Sequence, residues 1–168
     1  MKFIYTFLLL ALTTMITAQN PKGFDEMCQQ YIQKTVPLVQ PQELYKISNE
    51  KKVYILDARE PNEYKTSHIK GAIAVGYDHF STDKIKHLDK SKPVYIYCSI
   101  GYRSEKIGEK LIAEGFKNVY NLYGGIFYWA NLGLPLEDST NKRTTKVHGY
   151  NNDWSKWLNT TKCTPALN

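Results

Sequence analysis

Residues 93–115 read PVYIYCSIGYRSEKIGEKLIAEG, and the order of residue types in this stretch decides the fold. Pro93 opens a run of strand formers, Val94, Tyr95, Ile96 and Tyr97, which predicts a strand over 93–97 covered on both faces. Cys98 stands at its end. A short loop of Ser99, Ile100, Gly101 and Tyr102 leads to Arg103, and from Ser104 the residues Ile107 and Leu111 recur at helical spacing until Gly115, a residue suited to a left-handed stop. That predicts a helix over 104–114. Strand, loop and helix in this order make Cys98 face successive backbone N–H groups, the positive end of a helix and one guanidinium, all of which favour thiolate over thiol. The sequence therefore predicts sulfur chemistry at Cys98. The bland alternative is a buried structural cysteine, the commoner fate of a free one.

The neighbouring segments repeat the alternation. Before the central stretch lie a strand over 53–56 reaching Asp57, a short helix over 61–65 with Pro61 at its first position, a strand over 72–75, and a helical stretch from Ser81 through Ile85 and Leu88. After it come a strand over 119–122, a turn at Gly124 and Gly125, and a helix over 126–131 closed by Gly133. Nearer the N-terminus, a helix is predicted over 42–48, and Phe24, Met27, Cys28, Tyr31 and Ile32 form one apolar face of another. Strands separated by helices imply right-handed crossovers, hence an α/β fold with a parallel sheet and helices on both faces. Ligands bind such sheets at the carboxyl ends of the strands. Cys98, the segment from Asp57 to Arg59, and the Gly124–Gly125 turn all reach that end.

Three ordered motifs then make the chain resemble a known family. Leu56-Asp57-Ala58-Arg59-Glu60 with Glu63-Tyr64 and His68-Ile69-Lys70-Gly71-Ala72 is one. Tyr97-Cys98 through Arg103-Ser104 is the second, and Gly115-Phe116 with Asn121-Leu122-Tyr123-Gly124-Gly125-Ile126 and Trp129 is the third. Together they are similar to the rhodanese-like sulfurtransferase domain over residues 40–136, with Ser67 where the family usually has glycine. The resemblance implies a three-layer α/β/α fold and Cys98 as a persulfide-carrying nucleophile. It implies an anion cradle made by Ser99, Ile100, Gly101, Tyr102, Arg103 and Ser104, with Asp57, Arg59 and His68 as framework. The residue-level reading agrees on the last three: a strand-end ion pair and a turn-fixing histidine. Tyr64, Tyr77, Tyr102 and Phe127 are candidates for the pocket wall, and Trp129 for the core.

The expected activity is transfer of a sulfane sulfur from thiosulfate or a similar small anion to cyanide, a small thiol or a protein cysteine. It needs no dedicated general acid, because sulfite leaves without needing a proton and anion stabilisation is nearly the whole task, and no metal or cofactor is expected. His79, His87 and His148 lack metal-ligand spacing. Two other classes compete. A non-catalytic interaction module is one, opposed by the presence of Cys98 and Arg103. A cysteine-based phosphatase is the other, opposed by a loop of four residues between Cys98 and Arg103, one short of the loop that wraps a phosphate, and by Tyr97 rather than histidine before the cysteine.

Lys2, a mostly apolar run over 3–16 and Ala18 before Gln19 predict a secretory signal over 1–18, too short to span a bilayer. The remaining chain divides into an N-terminal helical segment over 19–39, the domain over 40–136, and a tail over 137–168. Export predicts a periplasmic or secreted protein, with no membrane association once the signal is removed. The net charge of +6 is spread among acidic residues without a basic stripe, which argues against nucleic acid as a partner. In the tail, Tyr150, Trp154, Trp157 and Leu158 predict a short amphipathic helix that docks on the domain or binds a partner. Asn159-Thr160-Thr161 is a glycosylation sequon in an Asn- and Thr-rich context. An oxidising compartment leaves two readings for Cys28 and Cys163: a disulfide pinning both termini, or a packed thiol and an idle one.

Overall fold

The computed structural model describes residues 20–48 and 53–167, so the secretory signal expected over 1–18 lies outside the described residues. Strands β1 (Leu38–Val39), β2 (Tyr54–Asp57), β3 (Ile73–Ala74), β4 (Val94–Tyr97) and β5 (Val119–Leu122) form one parallel sheet in the order β1-β5-β4-β2-β3. Helices α1 (Phe24–Tyr31), α2 (Pro41–Ile47), α3 (Pro61–Thr66), α4 (Tyr102–Ala113) and α5 (Gly125–Asn131) accompany it. β4 lies at the centre because each of its residues is apolar enough to be buried, as a parallel strand covered on both faces requires. Its register sets Tyr95 beside Ile55 and Ile96 beside Leu56. Side chains alternate along a strand, so two cores form. Ile55, Tyr95 and Tyr97 pack with Phe24, Leu44, Phe127 and Trp129 from α1, α2 and α5. Leu56, Val94, Ile96 and Cys98 turn the other way, onto Ile107 and Leu111 of α4 and onto Ile85 and Leu88. The sheet is covered by helices on both faces, as the sequence predicts.

Two expectations are corrected. The stretch after Ser81 is a single 3-10 turn, Thr82–Lys84, capped by the Ser81 hydroxyl accepting from the Asp83 amide at 3.3 Å. Ile85 and Leu88 are buried, but the residues around them are charged and give no helical face of their own. The predicted tail helix is also reduced, to the single turn α6 (Asn152–Ser155). Tyr150 has a φ of 65°, which no helix interior accommodates, and Asn151 instead caps α6 by accepting the Trp154 amide at 3.0 Å. Elsewhere the tail contributes short strands: β6 (Leu136–Glu137) pairs antiparallel with β7 (Arg143–Thr144), and β8 (Lys146–His148) pairs parallel with β9 (Thr164–Ala166).

The tail docks on the domain. Asn131 donates to the Trp157 carbonyl at 2.9 Å and accepts the Asn159 amide at 2.7 Å, while the Trp157 ring stands edge-on to Phe24 at 6.3 Å. Val147, Leu158 and Cys163 are buried in the core shared with α1 and α5.

Of the two readings for Cys28 and Cys163, the structure has the unpaired one. Both residues are free, buried thiols, each turned to a different carbonyl: Cys28 Sγ to Ile100 at 4.0 Å and Cys163 Sγ to Asn159 at 3.5 Å. Burial pushes the Cys28 thiol up to about 12, with Asp25 and Cys98 adding to it, and burial pushes Cys163 up to about 11. Both stay protonated, and protonated thiols are poor partners in disulfide exchange.

Candidate active site

Cys98 is the first residue past β4, and the loop it opens is held from behind. Its carbonyl accepts the Ile126 amide at 2.9 Å, and the Ser99 carbonyl accepts the Phe127 amide at 3.1 Å, so the loop's carbonyls are taken by the first turn of α5. In planar trans peptides the N–H points opposite to the C=O, which aims the amides of Ser99 and Ile100 away from α5. Gly125 permits this approach: a Cβ there would stand 2.4 Å from the Cys98 carbonyl oxygen, at a φ of +55°. Gly101 is required for a second reason. It caps α4 at a φ of +116°, and a Cβ would press to 2.7 Å from Ile32. With the backbone so turned, the Gly101 amide donates to Cys98 Sγ at 3.2 Å. The sulfur thus sits at the amide-rich N-terminus of α4, whose first-turn N–H groups have no partners within the helix. Its residue is 1% exposed.

Arg103 lies in that first turn but does not act as a lone charge. Its guanidinium donates to both Glu63 carboxylate oxygens at 2.7 Å and to the Ser99 hydroxyl at 2.9 Å. Glu63 thus shares the Arg103 charge with the sulfur: the Arg103 guanidinium is stabilised by Glu63 and by the charge of Cys98 together. Glu63 is placed by its own helix: at the third position of α3 it accepts the Glu60 amide at 3.0 Å in a capping box. Burial alone would raise its pKa, but the hydrogen bonds and charge of Arg103, with Arg59 beyond, hold it below the usual carboxylate range.

The structure separates the other predicted cradle residues by what their side chains touch. Ser99 bonds to Arg103 and Glu63, and Ile100 joins the core under α1. Tyr102 is 40% exposed, its ring 6.4 Å from Tyr31. Ser104 is fully buried and donates to Asn121 at 2.7 Å, and Asn121 returns a hydrogen bond to the Gly101 carbonyl at 2.9 Å. Ser104 therefore ties α4 to β5 through Asn121.

Asp57, Arg59 and His68 are framework. Asp57 accepts the Arg59 amide and Nε at 2.9 Å and Nη2 at 2.6 Å, all buried, and Nη2 also donates to the Ser67 carbonyl at 2.6 Å. The Arg59 guanidinium lies 5.5 Å from the centre of the Tyr97 ring, whose hydroxyl accepts the Ile69 amide at 3.1 Å. His68 stacks on Tyr64 at 4.0 Å, and its amide donates to the Glu137 carbonyl at 2.8 Å. Sequence reasoning quoted Glu63 within a motif without giving it a role. The signal was present: an acid three residues after Glu60, behind Pro61, is a capping box. Asn121, a polar residue inside an apolar strand, is a similar missed sign.

Known proteins bear directly on this site. The rhodanese-like domain profile matches residues 40–132. The chain belongs to the rhodanese-like domain family. A thiosulfate sulfurtransferase of Coxiella burnetii is 33% identical over 52% of this chain and 80% of its own length. A tRNA uridine(34) hydroxylase of Aster yellows witches'-broom phytoplasma is 41% identical over 51% of this chain, but the match spans only 30% of that protein. The solved rhodanese-like domain of an Anabaena protein superposes with a TM-score of 0.57 at 28% identity, covering 64% of this chain and 83% of that one. The rhodanese-like match begins after α1 and β1 and stops before β6, so Cys28 and Ile32, which reach the loop at Ile100 and Gly101, and Tyr150, which lies against Arg103, fall outside it.

Replacing Glu63 with glutamine tests the Arg103 pair. The Glu63→Gln variant is expected to lose about 2 kcal/mol, because a buried guanidinium keeps one neutral acceptor where it had a bidentate carboxylate. Glu63's depressed pKa means its contribution is fully present above the unfolded carboxylate value of about 4.3 and is lost as pH falls through the folded value. Melting curves between neutral and acidic pH should therefore show wild type losing its advantage over the variant on acidification. A gap that stays constant with pH would show that the carboxylate charge is not what holds Arg103.

Proposed function

We propose that the chain is an exported sulfurtransferase that takes a sulfane sulfur from thiosulfate, or a similarly small anion, onto Cys98. The observation that supports it best is the cysteine sulfur meeting the Gly101 amide at 3.2 Å at the head of α4, an arrangement suited to a sulfur anion. The Cys98 thiolate attacks the outer sulfur of thiosulfate. The S–S bond of thiosulfate breaks, its electron pair leaves with sulfite, and a new S–S bond forms on Cys98. No proton has to move, because sulfite leaves as a stable anion. The resulting persulfide carries negative charge on its outer sulfur, which the free first-turn amides of α4 stabilise. A thiolate or cyanide then attacks that outer sulfur and Cys98 leaves as thiolate. Family membership and the thiosulfate sulfurtransferase relative support the same chemistry. Export rests on the N-terminal pattern of Lys2, the apolar run and Ala18.

Intact mass after incubation with thiosulfate is the test. One added sulfur atom, removed again by cyanide as thiocyanate, is the expected result. A mass unchanged by thiosulfate and by other sulfane donors would overturn the proposal in favour of a non-catalytic interaction module.

A further inference from the structure

Tyr150 stands outside the family match in a conformation that core packing does not explain. Its φ of 65° is left-handed, a region that suits glycine and asparagine and strains a tyrosine, yet the residue is 53% exposed, so burial is not what holds it there. The turn that carries it is fixed on every side. Its own amide donates to His148 Nδ1 at 3.0 Å, and the Gly149 amide donates to the Ala166 carbonyl at 2.9 Å. A Cβ on Gly149 would stand 2.6 Å from that of Ser155. β8, just before the turn, packs on α3, the helix that bears Glu63. This rigid support has one visible product: the Tyr150 ring is laid over the Arg103 guanidinium, 5.3 Å from its centre to the Arg103 Cζ.

That position matters because Arg103 adjoins the Cys98 loop and its charge acts on the Cys98 sulfur. Its edge is occupied by Glu63 and Ser99, and Ser99 adjoins Cys98 in the chain. Tyr150 covers one face of the guanidinium, so an aromatic ring from the tail stands over Arg103. Across the loop, Tyr102 is flanked by Tyr31 at 6.4 Å, which is in turn packed against Trp154 of α6 at 5.2 Å. Both aromatic flanks therefore come from segments that the family match does not include.

We propose that Tyr150 is a specificity-determining residue that limits access to Cys98 by size, so that sulfur is passed to cyanide or small, slender thiols and not to cysteines on the surface of folded proteins. This deepens the sulfurtransferase reading and rests on it for the identity of the acceptor. The gate itself is a statement about access to one sulfur atom, and it is tested apart from sulfur transfer.

The experiment compares the rates at which Cys98 of the full chain reacts with iodoacetamide and with the bulky fluorescein maleimide, the adduct being assigned to Cys98 by peptide mapping. Tyr150→Gly and Tyr150→Asn both suit the left-handed turn and remove the ring, and each is expected to raise the maleimide rate relative to the iodoacetamide rate by about tenfold, one decade of barrier. Tyr150→Phe keeps a ring over Arg103 and is expected to hold the wild-type ratio. An unchanged ratio in both the glycine and asparagine variants, or a rise in the phenylalanine variant as large as theirs, would overturn the gate. Thiosulfate loading of the same samples separates the two readings: a wild type that does not gain sulfur removes the sulfurtransferase, while the alkylation ratios still decide the gate.

Discussion

Cys98→Ser is expected to abolish sulfur uptake from thiosulfate, with sulfite release falling by at least about a thousandfold, the scale of loss when a covalent nucleophile is removed. Serine is nearly isosteric and keeps the Gly101 amide, the α5 clamp on the loop carbonyls and the Arg103–Glu63 pair in place. What it removes is the sulfur that attacks the donor and forms the new S–S bond. Thermal stability should change little, since the residue's neighbours are loop backbone and the apolar core it shares with Ile96 and Ile107. Intact mass and sulfite release, read on the same folded sample, distinguish lost chemistry from lost structure. The other two cysteines make the experiment decisive. Cys28 lies under the same loop, but its sulfur is buried and its pKa is raised to about 12, so it is not available as a substitute nucleophile. Cys163 is buried in the tail with a pKa raised to about 11. A Cys98→Ser protein that still gained sulfur would move the site to one of these and overturn the assignment.

The parts of this molecule that were legible in its sequence are those where one local signal suffices. β4, the loop and α4 were readable because a fully buried parallel strand needs an unbroken apolar run, and because Gly101 and Gly115 mark the two ends of α4. The sheet class followed from the alternation. β1 was not readable: Leu38 and Val39 are strand residues only because β5 offers an edge, with Leu38 opposite Asn121 and Val39 opposite Leu122. The tail misled for a related reason. Its aromatic spacing is helical, but Trp154 and Trp157 are placed by Tyr31 and Phe24, contacts more than a hundred residues away in sequence, and the helix stops after one turn. At the site, Cys98 was legible from its strand-end context. The pairing of Arg103 with Glu63 was not, because Glu63 arrives from another crossover, 40 positions away.

Breaking the Asp57–Arg59 pair is expected to cause the largest loss of stability in the molecule. Arg59→Leu leaves the Asp57 carboxylate fully buried without its counter-ion, a situation that costs about 3–5 kcal/mol. In a chain of this size, that lowers the melting temperature by roughly 10 °C or more. The loss also reaches the site indirectly. Arg59 braces the Ser67 carbonyl and lies against Tyr97, the last residue of the strand that presents Cys98, and its charge helps to hold Glu63 ionised. The pair is not an ideal one, however. Arg59 Nη1 and the Ser67 hydroxyl are buried with no hydrogen-bond partner among the described residues, so part of what Arg59 loses by leaving water is never recovered. That fixes the sign of the coupling. A double variant, Asp57→Leu with Arg59→Leu, removes both charges and is expected to be more stable than Arg59→Leu alone, because an apolar pair leaves no buried charge behind. Chemical denaturation of the wild type, both single variants and the double variant measures this directly. If the double variant is instead less stable than the wild type by the sum of the two single losses, the two side chains act independently, and the brace under Cys98 must be sought in Tyr97 and the backbone rather than in this ion pair.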